Sequence, residues 1–141
     1  AGEEVLEIGP GSGFLSACMG ELAREVLSLE IDPELAATAR ARLDAAGLGT
    51  NVRIETADAL TWSTERRFDA ICVTSAVNTI PQQFLQWLRP GGRLFVIHGT
   101  SPAMQAVLVT VAADGTSTTR SLFETDIDYL QGAAPAPQFH L

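Results

Sequence analysis

Apolar and polar positions change period along the chain, and each change marks an element. Val5, Leu6 and Ile8 form a short apolar run that stops at Gly9-Pro10-Gly11-Ser12-Gly13, the pattern of a strand entering a tight glycine loop. Over 15–24, Leu15, Cys18, Met19, Leu22 and Ala23 recur at three-and-four spacing, which predicts a helix with one face on a sheet. A second apolar run ends in Glu30. Asp32-Pro33 supplies an N-cap and a first-turn proline for a helix through Ala46, and Gly47 stops it. A strand over 51–56 follows. Residues 67–74 are the most continuously apolar stretch, as expected of a strand near the middle of a sheet and covered on both faces. The loop predicted over 74–81 would lie at that strand's carboxyl end, where ligands of open α/β sheets sit. A helix over 82–88, buried through Phe84, Leu85 and Leu88, then leads through a turn at 89–93 to a strand over 94–97. Beyond His98 only strands are expected: 106–111, a hairpin signal at Asp114-Gly115, and 116–123. Pro135 and Pro137 exclude a helix or central strand at 133–141, which is expected along the surface as an edge. The predicted fold is α/β and Rossmann-like, a doubly wound, mostly parallel sheet with a terminal antiparallel hairpin.

The glycine loop carries the candidate chemistry. Glycines where a strand turns directly into a helix let the backbone bend and let a ligand approach without a Cβ in the way. Glu30 follows Gly9 by about 20 residues, the distance at which an acid at the next strand's tip meets ribose hydroxyls. The dinucleotide fingerprint would need Gly or Ala at position 14, where this chain has Phe14. A phosphate-binding P-loop needs a lysine, and the sequence has none. What remains is a loop for an adenosyl ligand without pyrophosphate, preceded by an acid, Glu7, that could face a cationic group.

Composition narrows the partners. A chain of 141 residues suits one domain, taken as 1–141. Acidic residues outnumber basic ones 17 to 9, for a net charge of −8, which argues against a nucleic-acid backbone as partner. No apolar run approaches bilayer-spanning length and no basic-then-apolar leader opens the chain, so no membrane partner and a soluble, cytoplasmic protein are expected. Cys18 and Cys72 lack CxxC pairing or a histidine cluster. They are expected as buried packing residues, with no metal.

VLEIGPGSG, read as a glycine loop, and LSLEID, read as a ribose strand, resemble the first motif and the strand after it in class I S-adenosylmethionine-dependent methyltransferases. The stretch LRPGGRLFVIHG resembles another mark of that superfamily. With VLEIGPGSGFLSACMGELAREVLSLEIDPEL and the more discriminating FDAICVTSAVNTIP, the whole chain resembles the C-terminal two-thirds of a protein-L-isoaspartate O-methyltransferase. Its tail, LFETDIDYLQGAAPAPQFHL, resembles a divergent bacterial branch. The resemblance implies S-adenosyl-L-methionine as cofactor, held by Glu7, Gly9, Gly11, Ser12, Gly13, Glu30, Ile31, Asp58, Ala59 and Thr74. In the superfamily the acid matching Asp58 holds the adenine amine; otherwise Asp58 is an N-cap for the short turn containing Trp62. The implied partner is a protein or peptide carrying isoaspartate, methylated on its side-chain carboxylate during protein repair. The family's substrate-holding serine lies in an S-x-P segment upstream of the glycine loop, where no residue here matches. An N-terminally truncated chain is therefore expected, able to bind cofactor but slow to turn over.

Substrate-side candidates are Thr74, Ser75 and His98. A carboxylate is already ionised at neutral pH, so the implied chemistry needs no general base, and His98 otherwise reads as a partly exposed residue bonded to a nearby loop. Two alternatives stay open, a related methyltransferase with a small-molecule or other protein acceptor and a non-catalytic cofactor-binding module. The oligomeric state is left open as well.

Overall fold

The computed structural model of the chain describes residues 2–9, 23–47, 50–130 and 132–135. The helix expected over 15–24, with Gly11, Ser12, Gly13 and Cys18, lies largely outside the described residues, as does the end of the tail. In chain order the described elements are β1 (Glu4–Ile8), β2 (Glu25–Glu30), α1 (Pro33–Ala45), β3 (Val52–Thr56), β4 (Phe68–Val77), α2 (Gln82–Gln86), β5 (Leu88–Thr100), β6 (Ala103–Val111) and β7 (Ser117–Thr125). They form a seven-stranded sheet in the order β3-β2-β1-β4-β5-β6-β7. Pairing is parallel from β3 to β5, and antiparallel from β5 to β6 and from β6 to β7.

Alternation along the strands divides the core between the two faces. Leu6, Ile8, Leu27, Leu29, Ile71, Val73, Leu94 and Val96 pack with Phe68, Phe84 and Trp87, the last two from α2 and its C-cap. On the opposite face Val26 and Val52 pack against Leu43 of α1. Ala76, Ile97, Met104 and Ala106 form a third cluster, with Ile127 and Tyr129 laid against it. Each fully buried Leu, Ile or Phe contributes about 1.5–3 kcal/mol. The α1 cap is as expected: Asp32 Oδ1 accepts from Glu34 N at 2.8 Å, and Gly47 follows the helix at φ +67°.

Several boundaries differ from the sequence expectation. β4 runs on to Val77 instead of giving way to a loop at Thr74, because Ala76 donates its N–H to Asp128 O and accepts from Leu130 N. The expected turn at 89–93 lies inside β5. Leu88 pairs with Phe68 and Arg93 with Ala70, so the residues between them bulge from the ladder, and Gly91 takes φ +83°. That early pairing also cuts α2 short at Gln86. Ala133, expected along a sheet edge, instead accepts from Asn78 N at 3.0 Å, which brings 132–135 back over the end of β4 together with 126–130. Cys72 is half-buried rather than buried.

An ionic clamp ties the amino ends of β1, β4 and β5. Arg89 bridges Asp69 Oδ2 at 2.7 Å and Glu4 Oε2 at 2.5 Å, Arg24 also reaches Glu4, and Arg93 holds Glu3 in a two-bond fork at 2.8 and 2.9 Å. The Arg93 and Arg89 guanidiniums hold the Glu3 and Glu4 carboxyls, respectively, below their ordinary values.

Two stability measurements follow from this packing. Phe68, with no exposed surface, leaves a core cavity in Phe68→Ala, and urea unfolding is expected to show a loss of about 3–5 kcal/mol. Glu3 and Glu4 have folded-state values below their unfolded ones, so the clamp stabilises above the ordinary carboxylate range and fades as pH falls through the lowered values. Arg89→Gln is expected to flatten that acid limb of a stability-versus-pH curve; an unchanged limb would show that the Glu4 pairing contributes nothing.

Candidate functional site

The register brings three strand tips level. Ile8 is opposite Leu29, Leu29 opposite Glu55, and Glu30 opposite Thr56. Gly9 and the 57–59 turn therefore emerge beside the end of β2, with Ala57 N donating to Glu30 O at 2.9 Å. Between them lies a small cleft, lined by Ile8, Gly9, Leu29, Glu30, Ile31, Ala57, Asp58, Ala59 and Leu130. Five residues named from the sequence, Gly9, Glu30, Ile31, Asp58 and Ala59, thus share one cavity.

Gly9 takes φ +81°, a conformation that favours glycine. A Cβ there would come within 3.1 Å of Thr74 Oγ1 and 3.7 Å of Leu130 Cδ1, in the space the cleft requires. Glu30 is 6 % exposed, and its Oε2 accepts from Ile31 N at 3.0 Å. Burial is the main cause that raises its carboxyl above the ordinary value; the Ile31 bond opposes the shift and nearby Asp32 adds to it. A desolvated carboxylate in this setting suits a ligand that brings hydroxyl donors. Asp58 Oδ1 accepts from Leu60 N at 2.9 Å, and its carbonyl accepts from Trp62 N at 2.8 Å. The turn-capping role is thus realised, and the second carboxylate oxygen is the one able to take an amine.

Other predicted residues stand outside this lining. Glu7 is fully buried on β1, where its Oε1 accepts from Ser28 Oγ at 2.7 Å. Burial first, and Glu7 second, push the Cys72 thiol up to about 11, which keeps it protonated and unreactive. Thr74 and Ser75, within the last four residues of β4, flank Gly9. His98, half-buried within β5 between Val77 and Gln105, is not part of the cleft lining. Gly11, Ser12 and Gly13 lie outside the described residues. Ile8, Leu29, Ala57 and Leu130 line the cleft without having been named as site residues from the sequence, and Leu130 is the one distant from the others along the chain. It reaches the cleft because Leu130 N donates to Ala76 O at 2.6 Å and Tyr129 Oη donates to Gly99 O at 3.0 Å, contacts with no local signature.

A glycine-lined cleft at the carboxyl ends of parallel strands, with an acid on the second strand, defines a nucleotide-type binding site on a Rossmann-like sheet. Solved structures give that class its narrower form, the class I methyltransferase fold. A protein-L-isoaspartate O-methyltransferase superposes with a TM-score of 0.81 at 27% identity, covering 94% of this chain and 43% of its own. A Plasmodium falciparum protein, described as a protein-L-isoaspartate O-methyltransferase in complex with S-adenosyl-L-homocysteine, gives 0.78 at 19% identity, covering 91% and 65%. The family model for protein-L-isoaspartate(D-aspartate) O-methyltransferase matches residues 1–127, and the chain belongs to that family. It is 40% identical over 134 residues to protein-L-isoaspartate O-methyltransferase 1 of an Anaeromyxobacter species, covering 94% of this chain and 63% of the relative. It is 44% identical over 107 residues to protein-L-isoaspartate O-methyltransferase 2 of Marinobacter nauticus, covering 75% and 48%. The chain thus spans roughly half to two-thirds of the length of these two relatives.

Glu30 is the residue on which to test the cleft. Hydrogen bonds to a charged group contribute roughly 1.5–3 kcal/mol, so Glu30→Ala is expected to weaken S-adenosyl-L-homocysteine binding by about one to two decades. Ionised Glu30 is the stronger acceptor, so lowering the pH through its raised value is expected to weaken binding at a pH above that of an ordinary carboxylate. Calorimetry across pH would show this for the parent and not for Glu30→Gln; identical profiles would remove Glu30 from the site.

Proposed function

We propose that this chain binds S-adenosyl-L-methionine across the tips of β1, β2 and β3 and directs its methyl group to the side-chain carboxylate of an isoaspartyl residue in a protein or peptide. The observation that carries the reading is the convergence of Gly9, Glu30, Ile31, Asp58 and Ala59 on one cleft, in a chain of the family named above. When bound, the cofactor supplies an electrophilic methyl group on a sulfonium.

The residues divide the remaining work. Glu30 accepts from ribose hydroxyls, which offset the cost of its burial. Asp58 accepts from the adenine amine while its other oxygen stays on Leu60 N–H. Ile8, Leu29, Ile31, Ala57, Ala59 and Leu130 exclude water from the ring and sugar. Gly9 admits the ligand at the end of β1, beside the Gly11-Ser12-Gly13 sequence read as its binding loop, and Glu7 is buried in the strand behind it. Thr74 and Ser75 stand on the acceptor's side of Gly9.

Activation of the acceptor requires no proton transfer, because a carboxylate with a reference pKa of about 4 is ionised at neutral pH. The task left to the protein is orientation, and holding two reactants in line can contribute about 7–11 kcal/mol of a barrier. The corresponding cellular role is repair of aged proteins in the cytoplasm.

The test is a methyl-transfer assay with radiolabelled S-adenosyl-L-methionine, an isoaspartyl peptide and its normal aspartyl counterpart, with calorimetric cofactor binding measured beside it. Binding is expected, with label accumulating slowly and on the isoaspartyl peptide alone. Label on both peptides or on neither, with binding intact, would reassign the acceptor, and absence of binding would overturn the whole reading.

A further inference from the structure

We propose that Thr74 is a positioning residue whose hydroxyl fixes the backbone at the entrance to the glycine loop, acting on the cofactor through Gly9 and not by touching it. The inference rests on the proposed cofactor site and assigns a mechanism to a residue that the sequence reading named both among the cofactor holders and as a substrate-side candidate. The last register pair between β1 and β4 is Ile8 with Val73, and Thr74 is the next residue. There the β1 chain leaves the sheet, and the register of β4 against β5 shifts between Cys72 and Ala76. The Thr74 hydroxyl continues the contact by a side chain. Its Oγ1 donates to Ile8 O at 2.9 Å and lies within donating distance of Gly9 O as well. One hydroxyl proton serves both carbonyls in turn or shares itself between them.

From the other side, Gly9 N donates to Leu29 O of β2 at 2.9 Å. The first loop residue is therefore held by its N–H from β2 and at its carbonyl from β4, at a φ of +81°. Glycine and threonine depend on one another here. Any Cβ on residue 9 would sit 3.1 Å from Thr74 Oγ1, so the missing side chain is what lets the hydroxyl reach the backbone. Thr74 does not line the cleft itself. Its effect on a ligand passes through the direction of the Gly9 peptide, which sets where the loop begins. A group so placed restrains the loop before the ligand arrives, and that lowers the ordering cost of binding.

The experiment compares Thr74→Val, which keeps the shape and removes the donor, with Thr74→Ser, which keeps the donor, by calorimetric titration with S-adenosyl-L-homocysteine alongside thermal unfolding. Thr74→Val is expected to bind about fivefold to tenfold more weakly, the scale of one lost neutral hydrogen bond, and Thr74→Ser within about twofold of the parent. If the valine variant does not unfold cooperatively, Thr74→Ala takes its place with the same expectation. Equal affinity of parent and donor-less variant would overturn the proposal, as would a serine variant as weak as the valine one, since the methyl group would then be what matters. A parent chain that binds nothing would overturn the proposed cofactor site and this inference together, whereas a binding parent with an indifferent valine variant would overturn this inference alone.

Discussion

Everything at the site depends on the parallel pairing of β1 with β2 on one side and β4 on the other. A strand buried between two neighbours must have its backbone groups satisfied by them, and Leu6, Glu7 and Ile8 are at most 1 % exposed. The pairing fixes register, and register fixes which residues reach the carboxyl edge together. A slip of one residue between β1 and β2 would carry Glu30 past the level of Gly9 and turn its side chain to the opposite face. The ionic clamp of Arg89 and Arg93 with Glu3, Glu4 and Asp69 acts on the same constraint from the far end of these strands.

Two acids are kept in the interior of a chain that is already strongly acidic. Burying a carboxylate is costly unless hydrogen bonds compensate for lost water. Glu7 takes one from the Ser28 hydroxyl within the sheet, and Glu30 takes one from the Ile31 amide at its rim. The difference is positional. Glu7 is enclosed, with its side chain bonded to Ser28 inside the sheet and no access to the cleft. Glu30 borders the cleft, so the donors it still lacks can come from a ligand.

The other end of the sheet is built differently. β6 and β7 return as antiparallel strands without a helix between β5 and β6, and the residues after β7 cross back over the end of β4. Ser101 donates its hydroxyl to Asp126 at 2.8 Å and its N–H to Tyr129 Oη at 2.9 Å, which pins this strap next to the cleft. β7 has no partner on its outer side among the described residues, and its ladder with β6 is broken between Ser121 and Phe123. Bulges of this kind bend an edge strand and make it a poor template for another chain.

Elements and their local chemistry were legible in the sequence because their causes are local. Period-two and three-and-four patterns, the Asp32-Pro33 helix start, Gly9 at a strand end and Glu30 at the next strand's tip are set by residues within a few positions of one another. These were enough to give the fold class, the order of the described elements and five residues of the cleft. Tertiary structure alone decided the rest. β4 gains three residues because Ala76 pairs with the returning strap, the Arg89–Arg93 stretch joins β5 because Leu88 finds Phe68, Leu130 becomes a cleft wall, and Thr74 bonds to a backbone 65 residues before it. Such contacts join positions far apart along the chain, and no local preference encodes them. They exist because buried backbone groups must find partners wherever the completed sheet supplies them.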